Sequence, residues 1–250
     1  MASANQIVVV ITFLAFGLAP FSQKARAFLS YASLVGFLGL IIPSIVAGID
    51  LPAELVFYSS FHSDWRNVAI HVVFVPTILW TAMVYFAYVP LPVLAPKMKL
   101  FGQPLNFSHA LAAVYIIFHV ACDAALGSLA GLLWAAMAYS ATSFVRHHAG
   151  YAGDKKAVAS GKAASSGSNK AAMLAGALHA LSWYMQIHPG HAIFEGRKPA
   201  LMDAMYQSFS VAPLFVFYEA AFALGYRPEL AQAVHAGVAS QHAAWARAGA

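Results

Sequence analysis

Long apolar runs, almost free of charge, recur from one end of this chain to the other. They fall at about residues 7–19, 28–49, 68–89, 107–122, 126–145, 171–187 and 206–224. About 20 consecutive apolar residues are needed to cross a hydrocarbon core. Of the 250 residues 61% are hydrophobic and 9% charged, against about 25% charged in ordinary soluble domains. A soluble fold of this length cannot hide so much apolar surface. The expectation is an all-α, polytopic transmembrane helical bundle with six to seven membrane segments, forming a single integral-membrane domain over 1–250 in contact with the lipid bilayer.

The punctuation between the runs supports this. Pro20, Pro52, Pro90, Pro92 and Pro104 stand at segment ends. Pro43, Pro76 and Pro213 lie inside apolar runs, where neighbouring helices must satisfy the freed carbonyls. The 150–170 stretch, rich in Gly, Ser and Lys, reads as a flexible polar loop. The alanine-rich tail at 229–250 reads as a surface helix or a disordered end, with His235 and His242 solvated. The first run is short, and Ala25-Arg26-Ala27 resembles a cleavage site, but no basic n-region precedes it, so cleavage is not expected. The net charge of +5 sits in short clusters between apolar runs, as topology signals do, and does not suggest nucleic acid. Cys122 is the single cysteine, so no intrachain disulfide is possible. There is no P-loop, GxGxxG, GxSxG or CxxC.

If all seven runs cross, Lys24, Arg26, Lys97, Lys99 and the 150–170 loop fall on one side. Two polar motifs and the Asp123–Gly127 turn then fall together on the other. Polar groups at the ends of membrane-length segments are costly unless they bind something.

The first motif runs from Tyr58 through His62, Asn67 and His71. Asn67 and His71 are four apart and share a helix face. His62 is nine residues before His71, half a turn out of phase on one helix, so the two converge only if the chain bends. Ser63-Asp64 is a helix-start signal at that point. Read alone, His71 is a hydrogen-bonded core histidine and His62 an interfacial one. The second motif is Trp183-Tyr-Met-Gln186-Ile-His188-Pro189-Gly190-His191-Ala-Ile-Phe194-Glu195-Gly-Arg197-Lys198. Pro189 is expected to end the span at His188, and a new helix would put His191 and Glu195 on one face. Two imidazoles and a carboxylate within eight residues suit a metal. Gln186 could orient a ligand, and Arg197 and Lys198 could pair with an anionic headgroup. The alternative is an interfacial loop. His119 and Asp123, four apart, read as a structural pair or as support for a site. Arg146-His147-His148 lacks the companion boxes of di-iron hydroxylases, and Gly127-Ser-Leu-Ala-Gly131 is a small-xxx-small helix contact.

Together the motifs resemble those of the membrane-bound 2-hydroxy fatty acid dioxygenases, enzymes of phytosphingosine breakdown. The first pattern stands as Tyr58, His62, Asn67, His71 and Pro76; the second as Trp183, Gln186, Gly190, His191, Phe194, Glu195, Pro199, Ala200 and Leu201. Asp203 and Ala212-Pro213-Leu214-Phe215 also fit. The chain departs from the pattern in Phe74, where many relatives have glycine, and in an extra residue at His188-Pro189. The resemblance implies an Fe(2+)-dependent enzyme, in the endoplasmic reticulum membrane if eukaryotic, that uses O2 to remove one carbon from a long-chain 2-hydroxy fatty acid. It implies metal ligands among His62, His71, His188 and His191, with Tyr58, Asn67, Gln186, Glu195 and Arg197 as further catalytic candidates. A di-iron lipid hydroxylase or desaturase is the enzyme alternative. A transporter or lipid-binding protein is the other, and metal analysis separates it from both enzymes.

Overall fold

The computed structural model describes residues 23–91, 98–148, 170–199 and 207–248. The chain folds into helices α1 (Gln23–Ala47), α2 (Leu51–Ser60), α3 (Trp65–Ala87), α4 (Phe107–Cys122), α5 (Ala124–His148) and α6 (Lys170–Met185). A π-helix, Gln186–Glu195, continues α6 without a break. A second, Gln207–Val211, leads into α7 (Ala212–Ala223), and α8 (Pro228–Ala248) follows. Strands β1 (Lys99–Leu100) and β2 (Gln103–Pro104) form a minimal antiparallel hairpin. Its turn has positive φ at both Phe101 (49°) and Gly102 (77°), the backbone that tight hairpins require.

Polar residues set the helix ends. The Asp50 side chain accepts the Ala53 N–H and starts α2 beside Pro52. The Asp64 side chain accepts the Arg66 N–H and starts α3, so the chain bends between His62 and His71 as their spacing requires. Asn106 and His109 form a capping box on α4, and Asp123 accepts the Ala125 and Leu126 N–H groups to start α5. At the α4–α5 hairpin a side chain on Gly127 would collide with the His119 carbonyl, so the close approach needs glycine there. The core runs through Trp134, Tyr115, Phe118, Phe215 and Tyr218, all fully buried.

Hydropathy predicted six to seven membrane segments; the described residues supply fewer. Only α3 and α5 are long and apolar enough to cross, with a third span if the pair Ser208–Ala223 and Pro228–Ala248, bent by 113°, counts as one. Helix α4 has 16 residues, about 24 Å at 1.5 Å each, and falls short of a core about 30 Å thick. Its caps, Asn106 and Asp123, stand at the ends of the apolar run 107–122 itself, so the run is no longer than the helix. Of the prolines expected to kink apolar runs, Pro43 and Pro76 lie inside helices, whereas Pro213 starts α7. The first run, 7–19, and all but the last residue of the 150–170 loop lie outside the described residues. The tail is helical, and His242 is not merely solvated: its Nε2 donates to the Ser60 carbonyl at 2.9 Å.

Candidate metal centre

Two motifs far apart in sequence, carried on three elements, build the centre. α2 carries Tyr58 and delivers His62 just past its end; α3 carries Asn67 and His71; the π-helix brings Gln186, His191 and Glu195. The π-helix packs against both α3 and α6.

Glu195 joins the motifs. Its carboxylate accepts the Ser63 N–H at 2.9 and 3.1 Å, the Asp64 N–H at 3.1 Å and the Asn67 side-chain amide at 3.0 Å. A carboxylate at a helix N-terminus meets unpaired N–H groups and the positive end of the dipole. Glu195 therefore caps α3 from the opposite motif, and its oxygens are taken. Asn67 is locked by the same contact. Its Oδ1 lies against Gly190, where an added Cβ would sit 2.5 Å from it, so only glycine lets the π-helix approach this closely.

The result is a cluster of three buried imidazoles. Each of His62, His71 and His191 offers a ligand atom, and these atoms all lie within 4.8 Å of one another. Ring centroids are separated by 4.3 Å (His62–His71), 4.9 Å (His62–His191) and 5.1 Å (His71–His191). His62 Nδ1–H donates to the Tyr58 carbonyl at 2.8 Å, and His71 Nδ1–H donates to the Asn67 carbonyl at 2.9 Å. Each bond fixes the tautomer and leaves the Nε2 lone pair free to bind. His62 Nε2 and His191 Nδ1 are buried without a partner. Orphaned polar atoms in an apolar interior are costly unless a ligand satisfies them. Burial, then the neighbouring His71 and His191 rings, holds the His62 imidazole neutral far below its ordinary range. Burial also lowers His191 to about 4, against the opposing pull of Glu195. Neutral imidazoles are the form that binds metals. The donor set therefore fits a divalent transition ion.

Tyr58 stacks flat on His62 at 4.1 Å and packs on Phe215, serving as a platform for the ring. Gln186 is buried, lines the cavity and donates to the Ser182 carbonyl. Arg197 donates its backbone N–H to the His191 carbonyl and lays its guanidinium over the Trp245 ring at 4.6 Å. His188 stands apart: it is exposed, stacks on Tyr184, and is not among the three clustered imidazoles. The reason is that Pro189 does not end the helix. An α-turn would press the proline ring against the carbonyl four residues back. The π-turn bonds five residues back instead, and the helix continues with Gln186, Gly190 and His191 facing inward. Sequence reasoning left α8 as a surface helix or a disordered end and missed that it packs against the end of α2 beside the centre. Trp245 packs edge-on against Phe61 and stacks on His242, and a Trp and His three apart in an alanine-rich tail were the available signal.

A cavity of about 60 Å³ opens beside the imidazoles, with Phe57, Phe61, Val75, Trp183 and Ile187 among its walls. Residues 50–224 match the family described as 2-hydroxy-palmitic acid dioxygenase Mpo1-like. The chain is 28% identical over 182 residues to the 2-hydroxy-palmitic acid dioxygenase MPO1 of Saccharomyces cerevisiae, covering 73% of this chain and 86% of that protein. No solved structure matches significantly.

Proposed function

The chain belongs to the 2-hydroxy-palmitic acid dioxygenase Mpo1-like family, and from that premise we propose that it is an iron(II)-dependent membrane enzyme that uses O2 to remove one carbon from long-chain 2-hydroxy fatty acids. The observation that carries this reading is the group of three buried imidazoles, two of them with an orphaned ring nitrogen. His62, His71 and His191 would hold the metal. Iron(II) bound there supplies one-electron chemistry with O2 and open positions for the substrate hydroxyl and carboxylate.

The protein's part is positioning. The Tyr58 and Asn67 carbonyls hold two of the imidazoles in one tautomer and one orientation. Glu195 keeps the motifs in register by binding the start of α3. Apolar side chains such as Phe57, Phe61 and Val75 line the cavity beside the imidazoles and lower the local dielectric, which strengthens electrostatic interactions there. Arg197 adds positive charge beside the second motif to draw in a carboxylate. The α-hydroxy acid can itself present two oxygens to the metal, so no separate keto-acid is required.

The test is aerobic incubation of purified protein with 2-hydroxypalmitic acid and iron(II), with product chain length read by mass spectrometry. The expected product is one carbon shorter. A chelator should abolish its formation, iron(II) should restore it, and zinc, which has no redox chemistry, should not. Full activity with zinc, or strict dependence on 2-oxoglutarate, would overturn the reading.

A further inference from the structure

Where the alkyl tail of a bound substrate goes follows from the cavity's size and walls. About 60 Å³ of the cavity is open to the centre of a water, room for about four to six waters at roughly 10–15 Å³ each, and so for a head group but not a long chain. The tail must pass through a wall. Among the described residues lining the cavity, Ile187 alone is exposed, at 42%; the others are half-buried or buried.

Ile187 is four residues before His191 in the π-helix, and Val75 is four residues after His71 in α3. α3 runs away from the site while α6 and the π-helix run towards it. Val75 and Ile187 therefore lie on the same side of the imidazoles, with Trp183 a further turn along. The opposite side carries Asp64, Arg66, Glu195 and Arg197, where stripping water from charges opposes an alkyl chain. Outside the Val75–Ile187 wall the surface is apolar and exposed at Val72 (39%), Val73 (58%), Leu181 (48%) and Tyr184 (56%). Val72 and Val73 belong to a helix long and apolar enough to cross a membrane.

Resting on the functional reading above, we propose that the substrate's alkyl tail leaves the imidazole cavity sideways between α3 and the π-helix into the hydrocarbon of the bilayer, and that Ile187 is the specificity-determining gate of this portal.

Two measurements test it. Ile187→Trp should lower kcat/KM for 2-hydroxypalmitic acid by roughly tenfold or more, while a short water-soluble 2-hydroxy acid changes by less than about twofold. Equal losses on both substrates, or no loss on either, would overturn the portal. The second measurement is independent of turnover. A palmitic acid analogue carrying a mid-chain diazirine, photolysed in phospholipid vesicles holding the protein, should label the peptide around Tyr184 and Ile187, and Ile187→Trp should remove that label. Labelling confined to other peptides would sink the portal even in an active enzyme. Labelling there in a protein inactive on every 2-hydroxy acid would uphold the portal and remove the dioxygenase reading.

Discussion

The imidazole centre and the α4–α5 corner are built from the same materials, a buried histidine among aromatic rings near a carboxylate, yet they differ in how completely they are satisfied. At the corner His119 Nε2–H donates to the Ser210 carbonyl at 2.9 Å, and its Nδ1 accepts the Trp134 indole N–H at 3.0 Å. Asp123 accepts from the Tyr218 and Tyr226 hydroxyls, the Arg227 guanidinium and two backbone N–H groups. His179 is closed in the same way, between Thr81 and Trp183. At the centre, His62 Nε2 and His191 Nδ1 have nothing. A buried polar group with all its partners stabilises and fixes a fold, whereas one built in without a partner marks where something else binds.

The largest effect should come from the centre. On the proposed function, in which each is a metal ligand, His62→Ala or His191→Ala should abolish iron binding and lower turnover at least a hundredfold. The thermal midpoint of the metal-free protein should barely move, since the apolar packing is untouched. Either variant retaining wild-type iron, read by elemental analysis, would break the contrast between the two regions.

The corner should behave in the opposite way. His119→Ala leaves the Trp134 indole N–H and the Ser210 carbonyl unpaired in the core and should cost about 3 kcal/mol of stability. Denaturation in detergent measures this, and iron content per folded molecule should be unchanged. Loss of iron from a fully folded His119→Ala protein would place this histidine with the centre.

Glu195 sharpens the comparison because it is saturated yet belongs to the centre. Glu195→Gln keeps the shape and removes the charge that faces the α3 N-terminus. Iron affinity should fall by roughly tenfold as the motifs loosen, the scale typical of groups that orient metal ligands. No change in affinity would confine Glu195 to a purely structural cap. The smallest effect belongs to His188→Ala, which should change stability by less than about 0.5 kcal/mol and leave iron stoichiometry intact, as befits an exposed ring stacked on Tyr184.

Much of this was legible in the residues themselves. The half-turn mismatch between His62 and His71 demanded a bend, and Asp64 marked its place, because an aspartate side chain satisfies the first free N–H groups of a helix wherever it occurs. Asn67 and His71 shared a face because four residues make about one turn. The number of membrane spans was less legible, since an apolar run of 16 residues such as 107–122 registers as a segment by composition although its helix is too short to cross.

Local sequence thus determined that two polar, histidine-bearing motifs sit at the ends of apolar helices and that one of them bends. Only the tertiary structure decided which side chains meet. His191 rather than His188 turns inward because a π-turn carries the helix past Pro189 and Gly190 nests on Asn67. Glu195 becomes a helix cap rather than a free carboxylate because the start of α3, 131 residues away from it in sequence, offers unpaired N–H groups. Periodicity and capping by an adjacent residue are properties of neighbours along the chain. Satisfaction of buried polar atoms depends on every element packed around them, and no stretch of sequence contains that information by itself.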